Sequence, residues 1–232
     1  MHKLAIPAAI TARVMARAGK EHPFDVLDAR RTALLVIDLQ NYFMKPGAQG
    51  EIPMARAIVP AVNRLAAELR RRSGHVVWIR NSTKDTSASW SVFTHCLLTP
   101  ERSARRYQDM DEAHDGFAFW PELAIERADA QIVKKRFSAF IQGSSTIVRH
   151  LHEREIDTVL VAGTATNVCC ESSARDAMML NFKTIMIADA LATYSDEEHN
   201  ASLSEFYSIF GDVQCVSEVI ESLDRGRAVN AA

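Results

Sequence analysis

Cys169 stands at a change of pattern in the chain. Ahead of it, residues 159–162 are a short apolar run suited to a buried strand, and residues 163–167 are small and polar, as in a tight turn. From Val168 the spacing turns helical, with Ala174, Ala177 and Met178 on the inward face. A cysteine in the first turn of a helix meets free N–H groups and a partial positive charge. Both favour the thiolate, which is the nucleophile. The same N–H groups can receive the oxyanion formed when a carbonyl is attacked. The plain alternative is a small buried hydrophobe, as most free cysteines are.

Two further groups can join that sulfur. Residues 32–38, TALLVID, are a continuous apolar run ending in Asp38. Runs apolar on both faces belong to central parallel strands, and the carboxyl ends of such strands are where open α/β sheets bind ligands. Residues 130–135 hold a short strand ending in Lys134 and Lys135, which point to opposite faces. One enters the crevice and the other is solvated. A carboxylate beside a thiol accepts its proton, and an ammonium beside both stabilises the ionised pair. The sulfur then attacks a carbonyl, the carboxylic acid returns the proton to the leaving nitrogen, and water hydrolyses the thioester. The roles are those of a triad without histidine.

The remaining pattern supplies the scaffold. Residues 54–72 read as a helix broken or kinked at Pro60 and stopped by Ser73 and Gly74. Residues 75–80 are the next strand, with Asn81 following. Residues 85–121 are the least periodic, as in a lid or an oligomer contact, with aromatics that fill core or interface. Ser144 or Ser145 caps a helix over Ile147, Val148 and Leu151. Residues 184–188 form a strand, Ser195 or Asp196 caps a helix reaching Phe210, residues 213–216 form an edge strand, and Ser217 starts a short last helix. This alternation specifies an α/β fold: a doubly wound, mostly parallel six-stranded sheet with helices on both faces, Rossmann-like in outline. The expected boundaries are a basic arm at 1–24, one domain at 25–225 and a tail at 226–232. The arm reads as a peripheral helix or a partner-binding segment.

Composition excludes several classes. A formal net charge of -2 argues against a nucleic-acid or polybasic membrane surface. No apolar run is long enough to span a bilayer, and the N-terminus lacks a secretory pattern. Four cysteines without framework spacing fit a reducing cytosol. No spacing suggests zinc, and no cofactor is expected.

Residues 33–41 (ALLVIDLQN), Lys134 with 136–140 (RFSAF), and 163–177 (GTATNVCCESSARDA) resemble the isochorismatase-like cysteine hydrolases over roughly residues 30–220. The resemblance implies a triad of Asp38, Lys134 and Cys169. Lys134 is chosen over Lys135 because the family's lysine stands four before the serine of an aromatic-Ser-x-Phe segment, here Ser138. It also implies a non-proline cis peptide at Thr164–Ala165, an oxyanion hole from the N–H groups of Ala165 and Cys169, and pocket residues Phe43, Asn81 and Phe137. The motif around Cys169 is most similar to ureidoacrylate and carbamoyl amidohydrolases, although Phe137 replaces the tyrosine of the ureidoacrylate enzymes. The metal ligands of nicotinamidases are absent around Asp38 and Asn81. The implied protein is a metal-free cytoplasmic amidohydrolase, a homodimer or homotetramer. It cleaves the C–N bond of a small carbamoyl, ureido or carboxamide substrate, with pocket walls from residues 82–121. Two other readings compete: vinyl ether hydrolysis with Asp38 as acid and Cys169 a bystander, and a non-catalytic binding or assembly protein.

Overall fold

Six strands form the sheet: β1 (Thr32–Ile37), β2 (His75–Asn81), β3 (Ala130–Lys134), β4 (Thr158–Thr164), β5 (Lys183–Ala192) and β6 (Asp212–Gln214). The computed structural model describes residues 1–230. Every strand pairing is parallel, in the order β3-β2-β1-β4-β5-β6. Successive residues of β1 serve opposite cores, as the two-residue period of a strand requires. Ala33, Leu35 and Ile37 face one core, and Leu34 and Val36 the other. β1 and β4 read as unbroken apolar runs because both of their faces are buried.

The helices are α1 (Ala8–Ala18), α2 (Asn41–Met44), α3 (Val59–Arg71), α4 (Pro100–Asp109), α5 (Ile147–His152), α6 (Glu171–Met179), α7 (Asp196–Ile209) and α8 (Val216–Asn230). Val14, Leu151, Ala174 and Phe206 put α1, α5, α6 and α7 on one face of the sheet. Val62, Leu65 and Val219 put α3 and α8 on the other. The chain therefore winds outward in both directions from the β1–β4 junction. The loops after β1 and β4 diverge there and leave a crevice at the carboxyl ends.

Gly163 closes that junction. It pairs with Ile37, has φ +116°, and a Cβ built on it would lie 2.0 Å from the Ile37 carbonyl oxygen. Only glycine lets the end of β4 approach the end of β1 this closely. Asp38 follows at once in the left-handed region, φ +58°, which aspartate tolerates better than most side chains.

The 54–72 segment is broken beside Pro60, as expected: Pro53–Ile58 is a 3-10 helix, and α3 starts at Val59 with Pro60 in its first turn, where its missing N–H has no intrahelical partner to lose. Several expectations change. Met178 is exposed while Ala174 and Ala177 are buried. α8 runs unbroken to residue 230, because Gly226 packs against the backbone of Leu27; residues 226–230 are therefore helix, and the rest of the expected tail lies outside the described residues. The arm folds onto its own chain: Val14 is fully buried, and the Tyr207 hydroxyl donates to the Glu21 carbonyl at 2.6 Å. Among the described residues no helix is long and apolar enough to cross a membrane.

Candidate active site

Three strand ends deliver three ionisable groups to the crevice. Asp38 follows β1 and is anchored by its N–H to the Ile79 carbonyl at 2.9 Å. Lys134 is the last residue of β3, and Cys169 lies in a wide helical turn, Thr166–Cys170, between β4 and α6. Lys134 Nζ is 2.7 Å from Asp38 Oδ2, with both side chains fully buried. The ammonium also donates to the Arg136 carbonyl at 3.0 Å. The Cys169 side chain is electrostatically coupled to both Asp38 and Lys134. Ser173 ties the cysteine turn to the segment after β3: its hydroxyl donates to the Cys169 carbonyl at 2.7 Å and accepts from the Ala139 N–H at 3.0 Å. Lys135 leaves the crevice and lies 3.6 Å from Asp85.

Burial sets the protonation of the cluster. It pushes the Asp38 carboxyl above its ordinary value, against the opposing pull of Lys134 and a hydrogen bond from Cys169. Burial works against the charged form of Lys134 too, but its partners, the Asp38 charge first among them, outweigh it and hold the ammonium protonated. The Cys169 thiol is pushed up to about 12, by burial first and then by the Asp38 charge, with Lys134 opposing. Desolvation therefore outweighs the attraction of Lys134. The resting sulfur is a neutral thiol.

Cys169 opens onto a cavity of about 180 Å³. Phe43, Phe137, Ala165 and Cys169 line it. Asn81 is not among the lining residues. It is fully buried beside Lys134 in the β2–β3 register, and its Nδ2 donates to the Arg136 carbonyl at 3.3 Å, the same oxygen that accepts from Lys134. Its place is behind the lysine. The Thr164–Ala165 peptide is cis. Phe93, Leu98, Arg102 and Arg106 bring the 82–121 stretch into the wall, and Phe93 packs edge-on to Phe137 with ring centroids 5.0 Å apart. Tyr42 and Tyr194 also line the cavity. Among the described residues, no group of three or more His, Cys, Asp or Glu side chains could hold a metal ion.

The turn bearing Cys169 rests on a histidine. The Thr166 hydroxyl shares a hydrogen bond with His199 Nδ1 at 3.0 Å, and His2 stacks on the ring at 4.5 Å. Burial, then the charge on His2, lowers His199 from 6.5 to about 4. The folded state thus binds this proton more weakly than the unfolded chain. Stability is full above 6.5, falls with pH and levels off below about 4. The shift corresponds to about 3 kcal/mol. Urea denaturation across this window should show the loss in the wild type and a flatter profile in His199→Gln. Parallel profiles would contradict the assignment.

The family model described as the isochorismatase domain matches residues 32–218. The chain belongs to the isochorismatase family. Maleamate amidohydrolase of Pseudomonas putida is 30% identical over 196 residues, covering 84% of this chain and 87% of that one. Ureidoacrylate amidohydrolase of Methylobacterium radiotolerans is 27% identical over 206 residues, covering 82% and 79%. The crystal structure of a cysteine hydrolase from Pseudomonas syringae pv. phaseolicola superposes with a TM-score of 0.76 at 24% identity, covering 86% and 95%. Members of this hydrolase family thus include amidohydrolases, and the isochorismatase-like fold expected from the sequence is the fold observed. Its sheet is wholly parallel, not mostly so.

Proposed function

We propose that this isochorismatase-family protein is a cysteine amidohydrolase that cleaves the C–N bond of a small carbamoyl, ureido or carboxamide compound. The observation that carries the reading is a thiol facing a small cavity, backed by a buried Asp38–Lys134 pair at 2.7 Å. Ionised Asp38 takes the thiol proton, and Lys134 stabilises the resulting thiolate. The sulfur attacks the carbonyl carbon, and the oxyanion is received by the backbone N–H groups of Ala165 and Cys169, two residues that line the cavity. Protonated Asp38 then gives its proton to the nitrogen as the C–N bond breaks, releasing ammonia or an amine. Water attacks the thioester while Asp38 takes its proton, the C–S bond breaks to release the acid, and Asp38 returns the proton to the sulfur to restore the thiol. The cavity is small against the roughly 300–1,000 Å³ of pockets for drug-sized ligands, which fits a substrate of few atoms. Ammonia release over a panel of ureas, N-carbamoyl amino acids and primary carboxamides tests the reading. Release from at least one class, abolished by Cys169→Ser, is the expected result. Vinyl ether cleavage of isochorismate without ammonia release from any amide would overturn it.

A further inference from the structure

The wall of the cavity carries a cation without a counter-ion. Arg106 is only 6% exposed, yet its side chain makes no hydrogen bond or ion pair among the described residues, and its Nε is buried without a partner. Its faces are covered: the guanidinium lies 5.5 Å from the Tyr42 ring centroid and 5.3 Å from that of Phe93. Stacking satisfies the planar faces of a guanidinium but not its N–H edge, which needs acceptors. That edge belongs to a residue lining the same cavity as Cys169, and Arg102 adds a second guanidinium to the wall. None of the lining residues is Asp or Glu. Asp38, the nearby carboxylate, is committed to Lys134. A buried unpaired charge is costly unless a ligand completes it.

We propose that Arg106 binds the carboxylate of the substrate, so that the enzyme acts on small acids carrying an amide or ureido group in preference to uncharged amides. This rests on the amidohydrolase reading and narrows it. A planar carboxylate matches the forked N–H edge of arginine, which also fixes the distance from the anion to the scissile carbonyl. The aromatic rings exclude water and keep the interaction strong.

The test compares succinamate with its methyl ester, which differ in the negative charge. The wild type should prefer the acid in kcat/KM by about a hundredfold or more, as expected for a buried charge-assisted pair. In Arg106→Gln the ratio should collapse toward one, mainly through KM, and Arg106→Lys should recover part of it. Equal use of acid and ester by the wild type would overturn the proposal. Because Arg106 also packs on Tyr42 and Phe93, a binding measurement stands beside the kinetics. Calorimetry on Cys169→Ser should show succinate binding at least tenfold tighter than dimethyl succinate, and equal affinities would again overturn it. The two readings fail separately. Tight succinate binding with no amide cleaved supports the arginine's role and removes the hydrolase. Amide cleavage indifferent to charge does the reverse.

Discussion

Cys169→Ser should fold as the wild type does and lose about 10⁴–10⁶-fold in kcat/KM, the scale seen when a covalent nucleophile is removed. The substitution changes one atom in a residue that is 5% exposed and belongs to the same buried core cluster as Ala139 and Ala174. Shape and volume are nearly kept, so the thermal midpoint should move by only a few degrees. The chemistry is not kept. The base behind the sulfur is a carboxylate, and even the thiol, pushed up to about 12, is a demanding proton donor for it. An alcohol is a far weaker acid, so Asp38 cannot ionise a serine to a useful extent. Circular dichroism and a melting curve check the fold, and ammonia release checks the rate. Activity within tenfold of wild type would remove the sulfur from the mechanism. Vinyl ether chemistry, with Asp38 as the acid, would then be the better account.

The second large effect is on stability. Asp38→Asn leaves Lys134 fully buried without its counter-charge, and breaking a buried pair in this way costs about 3–5 kcal/mol. Lys134→Met leaves Asp38 in the same position, and the carboxyl responds by moving further above the ordinary value from which burial already displaces it. A carboxyl raised in the folded state contributes stability below its unfolded pKa of 3.8, which is lost as pH rises through the folded value. The penalty of Lys134→Met should therefore shrink toward acid pH. The double variant Asp38→Asn/Lys134→Met removes both charges together. It should be more stable than either single variant, since replacing a whole buried pair is often close to neutral. All three variants should be inactive. Urea denaturation at two pH values gives the four stabilities. Additive losses in the double variant would mean that the pair does not act as a unit.

What could be read from the sequence follows from which residues are governed by burial. β1 and β4 are apolar on both faces, and their runs name them. Ser195 announces α7 because its side chain accepts from the Glu198 N–H. Asp38, one lysine of the 134–135 pair and Cys169 could be placed together because each ends or follows a strand, and the carboxyl ends of parallel strands share one edge of the sheet; the choice of Lys134 rests on the family resemblance.

α4 could not be found this way. Its sequence, PERSARRYQD, has no apolar stripe, and the residues it buries are Ser103 and Arg106. The remaining signal was its start: Thr99 as cap, Pro100 in the first turn and Glu101 beside it. Arg106 stayed hidden for the same reason, since a buried arginine in a charged segment looks like a solvated one until its neighbours are known. Asn81 was misplaced by one layer. It is at the correct strand end, but its side chain turns toward the Arg136 carbonyl and supports Lys134 from behind.

The most direct test of the nucleophile is to catch it acylated. Wild-type enzyme turning over its best amide is quenched in acid at intervals from milliseconds to seconds, digested, and the peptide bearing Cys169 is weighed. The account predicts a mass increase equal to the acyl fragment on that cysteine, absent in Cys169→Ser. Product forming with the peptide unmodified at every interval, or an adduct on any other residue, would contradict it.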